Sequence, residues 1–343
     1  MNLLILSSYL FAARRRGGNH MYKICSLFAG VGGIDLGFLN TKKCEIVYAN
    51  EFDKFAKETY ELNFKNKVDC RDIHDVLIDD IPEFDIMVGG FPCTSFSVAG
   101  YRKGFQDDKT GDLFFEMERI FKKRKPRVIF LENVKNLVGH DNGNTFNTVI
   151  KCLEKAGYKG KISSQILNAC EYGNIPQNRE RVYIVAFREK KDYEKFKMPL
   201  PIPLKKQIKD IFDYENKVLD KYYYTKGKYK DEMYNMLEKE MDDDSTVYQW
   251  RRRYVRKNQS KLVPTLTANM GEGGHNVPLI KTKYGIRKLT PLECFYAQGY
   301  PKKYKLPENM SDAKLYKQAG NSVAVPVIER IAHNIIIALE DDE

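Results

Sequence analysis

The stretch Lys23-Ile24-Cys25-Ser26-Leu27-Phe28-Ala29-Gly30-Val31-Gly32-Gly33-Ile34-Asp35-Leu36-Gly37-Phe38 sets the architecture. A short apolar run suited to a buried strand leads into a glycine-rich turn, and the turn opens a helix-like segment. Glycines at such a turn let a ligand approach the backbone, and the N–H groups of the helix start favour an anionic group. The spacing Gly30-x-Gly32-Gly33 is not the dinucleotide-binding pattern. Working outward, strand-like runs at Glu45–Ala49, Lys67–Asp69, Ile86–Val88, Val128–Leu131, Lys161–Asn168 and Arg181–Phe187 follow. They alternate with helix-like stretches at Gly32–Leu39, Phe52–Asn63, Leu113–Lys123 and Thr145–Ala156. The alternation predicts an α/β fold with a parallel-rich sheet and helices on both faces.

Strand exits in such a sheet are where ligands bind. Past Ala49 stand Glu51 and Phe52; a carboxylate about 20 positions after the glycines can grip ribose hydroxyls, and the ring can lie against a purine. Past Asp69 comes Asp72-Ile73, where a carboxylate can accept from an adenine amino group. Each alone reads as a solvated loop acid; at successive strand ends they outline a nucleoside-containing cofactor. Two further exits carry reactive groups: Gly89-Gly90-Phe91-Pro92-Cys93-Thr94-Ser95-Phe96-Ser97 after Ile86–Val88, and Glu132-Asn133-Val134 after Val128–Leu131. A lone cysteine is usually buried and inert, so the neighbouring acids and the glycine turn are what single out Cys93.

The chain has 343 residues, 43% hydrophobic and 30% charged, which suits one large domain plus a smaller one. A formal net charge of +11 and abundant Tyr and Phe suit a polyanionic partner. The 7 cysteines are scattered without a CxxC pair, which speaks against a disulfide framework and against a zinc site, and for a reducing cytosol. No metal, no membrane and a cytoplasmic location are expected. Residues 1–20, where Arg14-Arg15-Arg16 follow rather than precede the apolar run, are expected to be an extension outside the fold. After Phe187 the character changes: Pro199, Pro201 and Pro203 mark a linker. The segment from Trp250 to Lys261 carries Arg251, Arg252, Arg253, Arg256, Lys257 and Lys261 without an acid.

With these residues in view, the chain resembles the DNA (cytosine-5) methyltransferases, in particular the bacterial or phage restriction-modification type. The resemblance rests on Phe28-Ala29-Gly30-Val31-Gly32-Gly33, Gly90-Phe91-Pro92-Cys93, Glu132-Asn133-Val134, Gln177-Asn178-Arg179-Glu180-Arg181-Val182-Tyr183, Arg287-Lys288-Leu289-Thr290-Pro291-Leu292-Glu293-Cys294 and Gly320-Asn321-Ser322-Val323, in the family's order. It implies a Rossmann-like sheet of the S-adenosylmethionine-dependent methyltransferases with a smaller, irregular target-recognition domain. The expected divisions are 21–189 for the large domain, 190–290 for recognition, 291–317 for a hinge and 318–343 for a segment returning to the large domain.

The resemblance further implies that Phe28, Gly30, Gly32, Glu51, Phe52, Asp72, Ile73, Pro92, Leu113 and Asn321 contact S-adenosylmethionine. Phe52 stands where many members have Trp, and Thr94 where Gln is common. Cys93 would add to C6 of cytosine, Glu132 would supply a proton at N3, Arg181 would donate to O2, and Arg179 would support the site. A target inside a duplex must be flipped out. Arg251, Arg252, Arg253 and Arg256 would meet mainly phosphates, with Thr265 and Ser97 also against DNA, and His275 and Asn276 within reach of base edges. Double-stranded DNA is the expected partner, the chain a monomer, with a separate endonuclease as its companion. Two readings stay open here: an RNA (cytosine-5) methyltransferase, and a non-catalytic DNA-binding relative.

Overall fold

The computed structural model describes residues 20–91, 113–228, 230–271 and 277–340. Pro92, Cys93, Ser97, His275 and Asn276, and the 1–20 extension but for His20, lie outside the described residues.

Six strands form the main sheet: β1 (Tyr22–Leu27), β2 (Cys44–Asn50), β3 (Ile86–Gly89), β4 (Val128–Val134), β5 (Ile162–Asn168) and β6 (Glu180–Phe187). Their order is β2-β1-β3-β4-β6-β5. The first four run parallel; β6 is antiparallel to both β4 and β5. Strand periodicity divides the core in two. Ile24, Ile86, Val88, Val128, Phe130, Val185 and Phe187 point to one face and Cys25, Leu27, Met87, Ile129, Leu131, Ile184 and Ala186 to the other. Helices α1 (Gly33–Leu39) and α2 (Lys54–Asn63) cover the first face, α3 (Leu113–Arg124) and α4 (Asn144–Leu153) the second. Lys67–Asp69 does not form the expected strand: Asp69 makes an isolated bridge to Asn50, and the polar residues around it have no sheet neighbour to pair with. Helix α2 starts two residues later than its pattern suggests, because the Asp53 side chain caps it by accepting from the Phe55 N–H at 2.9 Å.

A second, four-stranded antiparallel sheet follows, after helix α5 (Asp231–Glu240). It is built from β7 (Tyr248–Trp250), β8 (Val255–Lys257), β9 (Leu279–Thr282) and β10 (Gly285–Lys288), in the order β10-β9-β7-β8. Three helices close the chain: α6 (Pro291–Tyr296), α7 (Asp312–Asn321) and α8 (Val325–Leu339). Residues 312–339 together are long and apolar enough to cross a membrane. They are broken at 322–324, however, and Ile328, Ile331 and Ile335 of α8 are fully buried against the main sheet.

The second sheet is anchored by a buried ion pair. Arg287 on β10 is wholly buried and reaches both Glu293 oxygens at 2.7 Å, while its Nη2 also donates to the Asp213 carbonyl. Glu293 in turn accepts from the N–H groups of Thr290 and Asp213, so one carboxylate caps α6 and ties it to the segment entering the sheet. Removing the cation strands a buried carboxylate. Arg287→Ala is expected to destabilise the fold by about 3–5 kcal/mol, read as a lower midpoint in urea unfolding.

Candidate active site

Strand register puts four exits in one line. Leu27 pairs with Asn50 on one side and Gly89 on the other, and Gly89 pairs with Leu131. The glycine turn, Glu51-Phe52, Gly90-Phe91 and Glu132 therefore all stand one step beyond the same edge of the sheet.

At the glycine turn the backbone leaves β1 with Phe28, Gly30 and Gly32 all at positive φ (53°, 56° and 78°). Gly32 is required by packing as well, since a Cβ there would meet the Phe64 ring at 2.2 Å. Gly30 faces open space; the nearest atom to its virtual Cβ is the Phe28 carbonyl at 4.0 Å. Glu51 closes this hollow. Its carboxylate accepts from the Gly30 N–H and the Asp53 N–H, both at 2.8 Å, and burial raises its pKa against those bonds. Beside it the Phe52 ring is 69% exposed, an apolar face left in water. Asp72 caps the next turn through the His74 N–H, and its Oδ1 lies 2.5 Å from His74 Nδ1. Ile73 is buried among core residues that include Leu27 and Met87, so its side chain serves the core. Leu113 opens α3, half-buried, and Asn321 is exposed at the end of α7. The open glycine hollow, the half-buried carboxylate at its rim and the bare ring fit a nucleoside with a charged tail.

Asp35 was not singled out by the sequence reading, although an acid on the apolar face of α1 is a visible signal. It is fully buried and accepts from Ser26 Oγ at 2.6 Å and Tyr60 OH at 2.5 Å, tying β1, α1 and α2 together beneath the turn. Burial, opposed by those two hydroxyls, raises its pKa from 3.8 to about 6. A raised carboxyl binds its proton more tightly in the folded state, so its contribution favours folding as pH falls from 6 to 4 and is lost as pH rises through 6. Relative to Asp35→Asn, the wild-type chain is expected to gain about 3 kcal/mol over that window. Thermal melts of both proteins from pH 4 to 7 check the slope; parallel curves would overturn it.

The second cluster at this edge is built by β4 and β6. Their antiparallel register sets Glu132 opposite Tyr183 and Val134 opposite Arg181, which makes Arg181 a diagonal neighbour of Glu132 on the same face. Arg181 Nε lies 3.1 Å from Glu132 Oε1. The N–H is not aligned for a hydrogen bond, and Oε1, although buried, has no hydrogen-bond partner among the described residues. The contact is an ion pair that leaves a lone pair open. Burial raises the Glu132 pKa, and Arg181 and Arg179 only partly offset it. A Cβ on Gly90 would sit 3.3 Å from Glu132 Oε2, so the segment leading to Cys93 passes directly beside this carboxyl. Asn133 holds that segment by donating to the Phe91 carbonyl at 2.8 Å. Arg179 is placed differently from Arg181: its guanidinium is enclosed by backbone carbonyls, which makes it a brace. Glu180 pairs with Lys135 at 2.9 Å on the surface.

The basic cluster folds as a hairpin tip. Arg251, Arg252, Arg253 and Tyr254 join β7 to β8 and are all exposed, as is Arg256 on β8. No carboxylate pairs with these arginines among the described residues, whereas Lys257 is neutralised by Asp242 at 2.8 Å. Thr265 is exposed, with its hydroxyl donating to the Asn178 carbonyl at 2.7 Å. No group of three or more His, Cys, Asp or Glu able to hold a metal occurs among the described residues.

Residues 22–337 match the family described as C-5 cytosine-specific DNA methylase. The type II methyltransferase M.Bsp6I of Bacillus sp. (strain RFL6) is 60% identical over 315 residues, which cover 92% of this chain and 98% of that protein. The type II methyltransferase M1.ScrFI of Lactococcus lactis subsp. cremoris is 39% identical over 321 residues, covering 93% of this chain and 79% of that protein. Among solved structures, a Spodoptera frugiperda DNMT2 variant superposes with a TM-score of 0.71 at 21% identity, covering 92% of this chain and 99% of that one.

Proposed function

The chain belongs to the C-5 cytosine-specific DNA methylase family and is a DNA (cytosine-5) methyltransferase that uses S-adenosylmethionine; from that premise we propose how its own residues carry the reaction. The observation that carries the proposal is the line of strand exits, which brings Glu51, Gly90 and Glu132 to one edge of the sheet.

Phe28, Gly30, Gly32, Glu51, Phe52, Asp72, Ile73, Pro92, Leu113 and Asn321 would hold the cofactor, Phe52 offering an apolar face to adenine and Glu51 a carboxylate to ribose hydroxyls. Bound there, S-adenosylmethionine supplies an electrophilic methyl group. The chain's task is to make cytosine C5 nucleophilic. The Cys93 thiolate adds to C6, forming a C–S bond and pushing the ring electrons toward C5 and N3. Glu132, whose hold on a proton burial strengthens, delivers that proton to N3 as charge builds there. Arg181 donates to O2 and holds the Glu132 carboxyl in place. After methylation the C5 proton leaves to a base, the C6–S bond breaks, the thiolate departs and the N3 proton returns to Glu132. Because Glu132 is buried at the sheet edge, the target base would be flipped out of the duplex to reach it. The unpaired arginines 251, 252, 253 and 256 grip phosphates, and Ser97 and Thr265 face the DNA. The enzyme works as a monomer inside the cell, in the manner of a modification methylase with a separate endonuclease.

Bisulfite sequencing of DNA from cells expressing the protein tests the reading. Methylated cytosines confined to one short sequence are expected. A parallel assay on tRNA with the purified enzyme should give no product; transfer to tRNA and none to duplex DNA would overturn the assignment.

A further inference from the structure

Arg179 is 98% shielded from solvent and its guanidinium faces three backbone carbonyls from two distant segments. Nη1 donates to Leu266 at 2.8 Å; Nη2 donates to Gly320 at 3.2 Å and also to Ser322. The two carbonyls that accept from Nη2 bracket Asn321. Leu266 stands between Thr265, whose hydroxyl is bound to Asn178, and Thr267, whose peptide packs on Gly320. That packing is close: a Cβ on Gly320 would lie 2.2 Å from the Thr267 carbonyl carbon and 2.4 Å from the Ala268 nitrogen. Backbone pairing of Pro176 and Asn178 with Val263 sews the same recognition segment to the stretch that carries Arg179 and leads into β6 with Arg181.

We propose that Arg179 is a positioning residue that links cofactor binding to DNA binding, because one buried cation fixes both the turn presenting Asn321 and the segment presenting Thr265. The inference rests on the assignment of those two residues to cofactor and DNA. A planar guanidinium can span carbonyls on separate segments, and in a buried site each charged bond is strong. Cofactor held at Asn321 immobilises the Gly320 and Ser322 carbonyls; the remaining arm of the fork then finds Leu266 already aligned. DNA bound at the recognition segment consequently orders fewer groups, and the gain is reciprocal. A lysine keeps the charge but places three donors at one point and cannot bridge the segments.

The test is calorimetric titration of S-adenosylhomocysteine into the full-length protein, with and without a duplex containing the site mapped by bisulfite sequencing. In the wild type the duplex is expected to tighten S-adenosylhomocysteine at least about fivefold. In Arg179→Lys the factor should fall within about twofold of unity, while KM for each substrate rises more than kcat falls. A wild-type factor near unity, or an undiminished factor in Arg179→Lys, overturns the linkage. Should the variant not fold, hydrogen exchange on the wild type decides: S-adenosylhomocysteine alone must slow the amides from Thr267 to Met270, and unchanged exchange there overturns the proposal. A wild-type enzyme that methylates DNA but shows no linkage refutes only this inference; one that methylates no DNA refutes the functional reading instead.

Discussion

Cys93→Ala is expected to lower methyl transfer to duplex DNA by at least about 10³-fold, because it removes the thiolate proposed to attack C6. Cytosine C5 does not attack a methyl sulfonium unaided; the ring must first gain electron density, and a thiolate is the side chain that adds readily near neutral pH. Binding should survive, since the cofactor and phosphate contacts assigned above do not involve the thiol. Two measurements separate chemistry from binding. Single-turnover transfer of a labelled methyl group should disappear in the variant while S-adenosylhomocysteine affinity stays within about threefold of wild type. A duplex with 5-fluorocytosine at the target, whose C5 substituent cannot leave as a cation, should form a denaturation-stable adduct with the wild-type chain and none with Cys93→Ala. Transfer retained by the variant, or an adduct formed without the thiol, would remove Cys93 from the mechanism.

The main sheet was legible because its central strands are buried on both faces and its helices carry strong apolar stripes, so Val128 to Leu131 and Val182 to Phe187 stand out as unbroken apolar runs. Lys67–Asp69 misled because a single bridge at Asp69 has the flanking pattern of a strand without a partner to extend it. The second sheet was illegible as strands. Its elements are 3 or 4 residues long, too short for alternation to register, and β8 is only half-buried. The candidate site divides in the same way. Glu132, Glu51 and the arginine cluster could be read from position along the chain, since each follows a strand or heads a turn. Asp35, Asn133 and the brace role of Arg179 depend on partners far away in sequence: Tyr60, Phe91, and Leu266 with Gly320. Nothing local distinguishes Arg179 from Arg181; the difference arises from which carbonyls or carboxylates each meets once the strand is in its sheet.

Glu132→Gln is expected to lower kcat by about 10²–10⁴-fold with little change in KM for DNA. The carboxyl lies 8% exposed, beside Gly90 and against Arg181, and its Oε1 finds no hydrogen-bond partner among the described residues. A buried unsatisfied carboxyl oxygen is costly unless a ligand completes it, and in the proposed mechanism the edge of a flipped cytosine would do so. Glutamine preserves shape and can still hydrogen-bond the base, but it has no ionisable proton to hand to N3 as the thiolate adds. The pH dependence separates proton delivery from simple contact. Burial, only partly offset by Arg181 and Arg179, raises the Glu132 pKa, so the acid form persists to higher pH than in an exposed glutamate. The wild-type single-turnover rate should therefore carry a limb that falls as pH rises through that raised pKa, where the proton donor is lost. In Glu132→Gln the residual rate should lack that limb and follow only the ionisation of Cys93, rising with pH. A variant that keeps the falling limb, or that loses DNA affinity in proportion to rate, would show that Glu132 binds the base without protonating it.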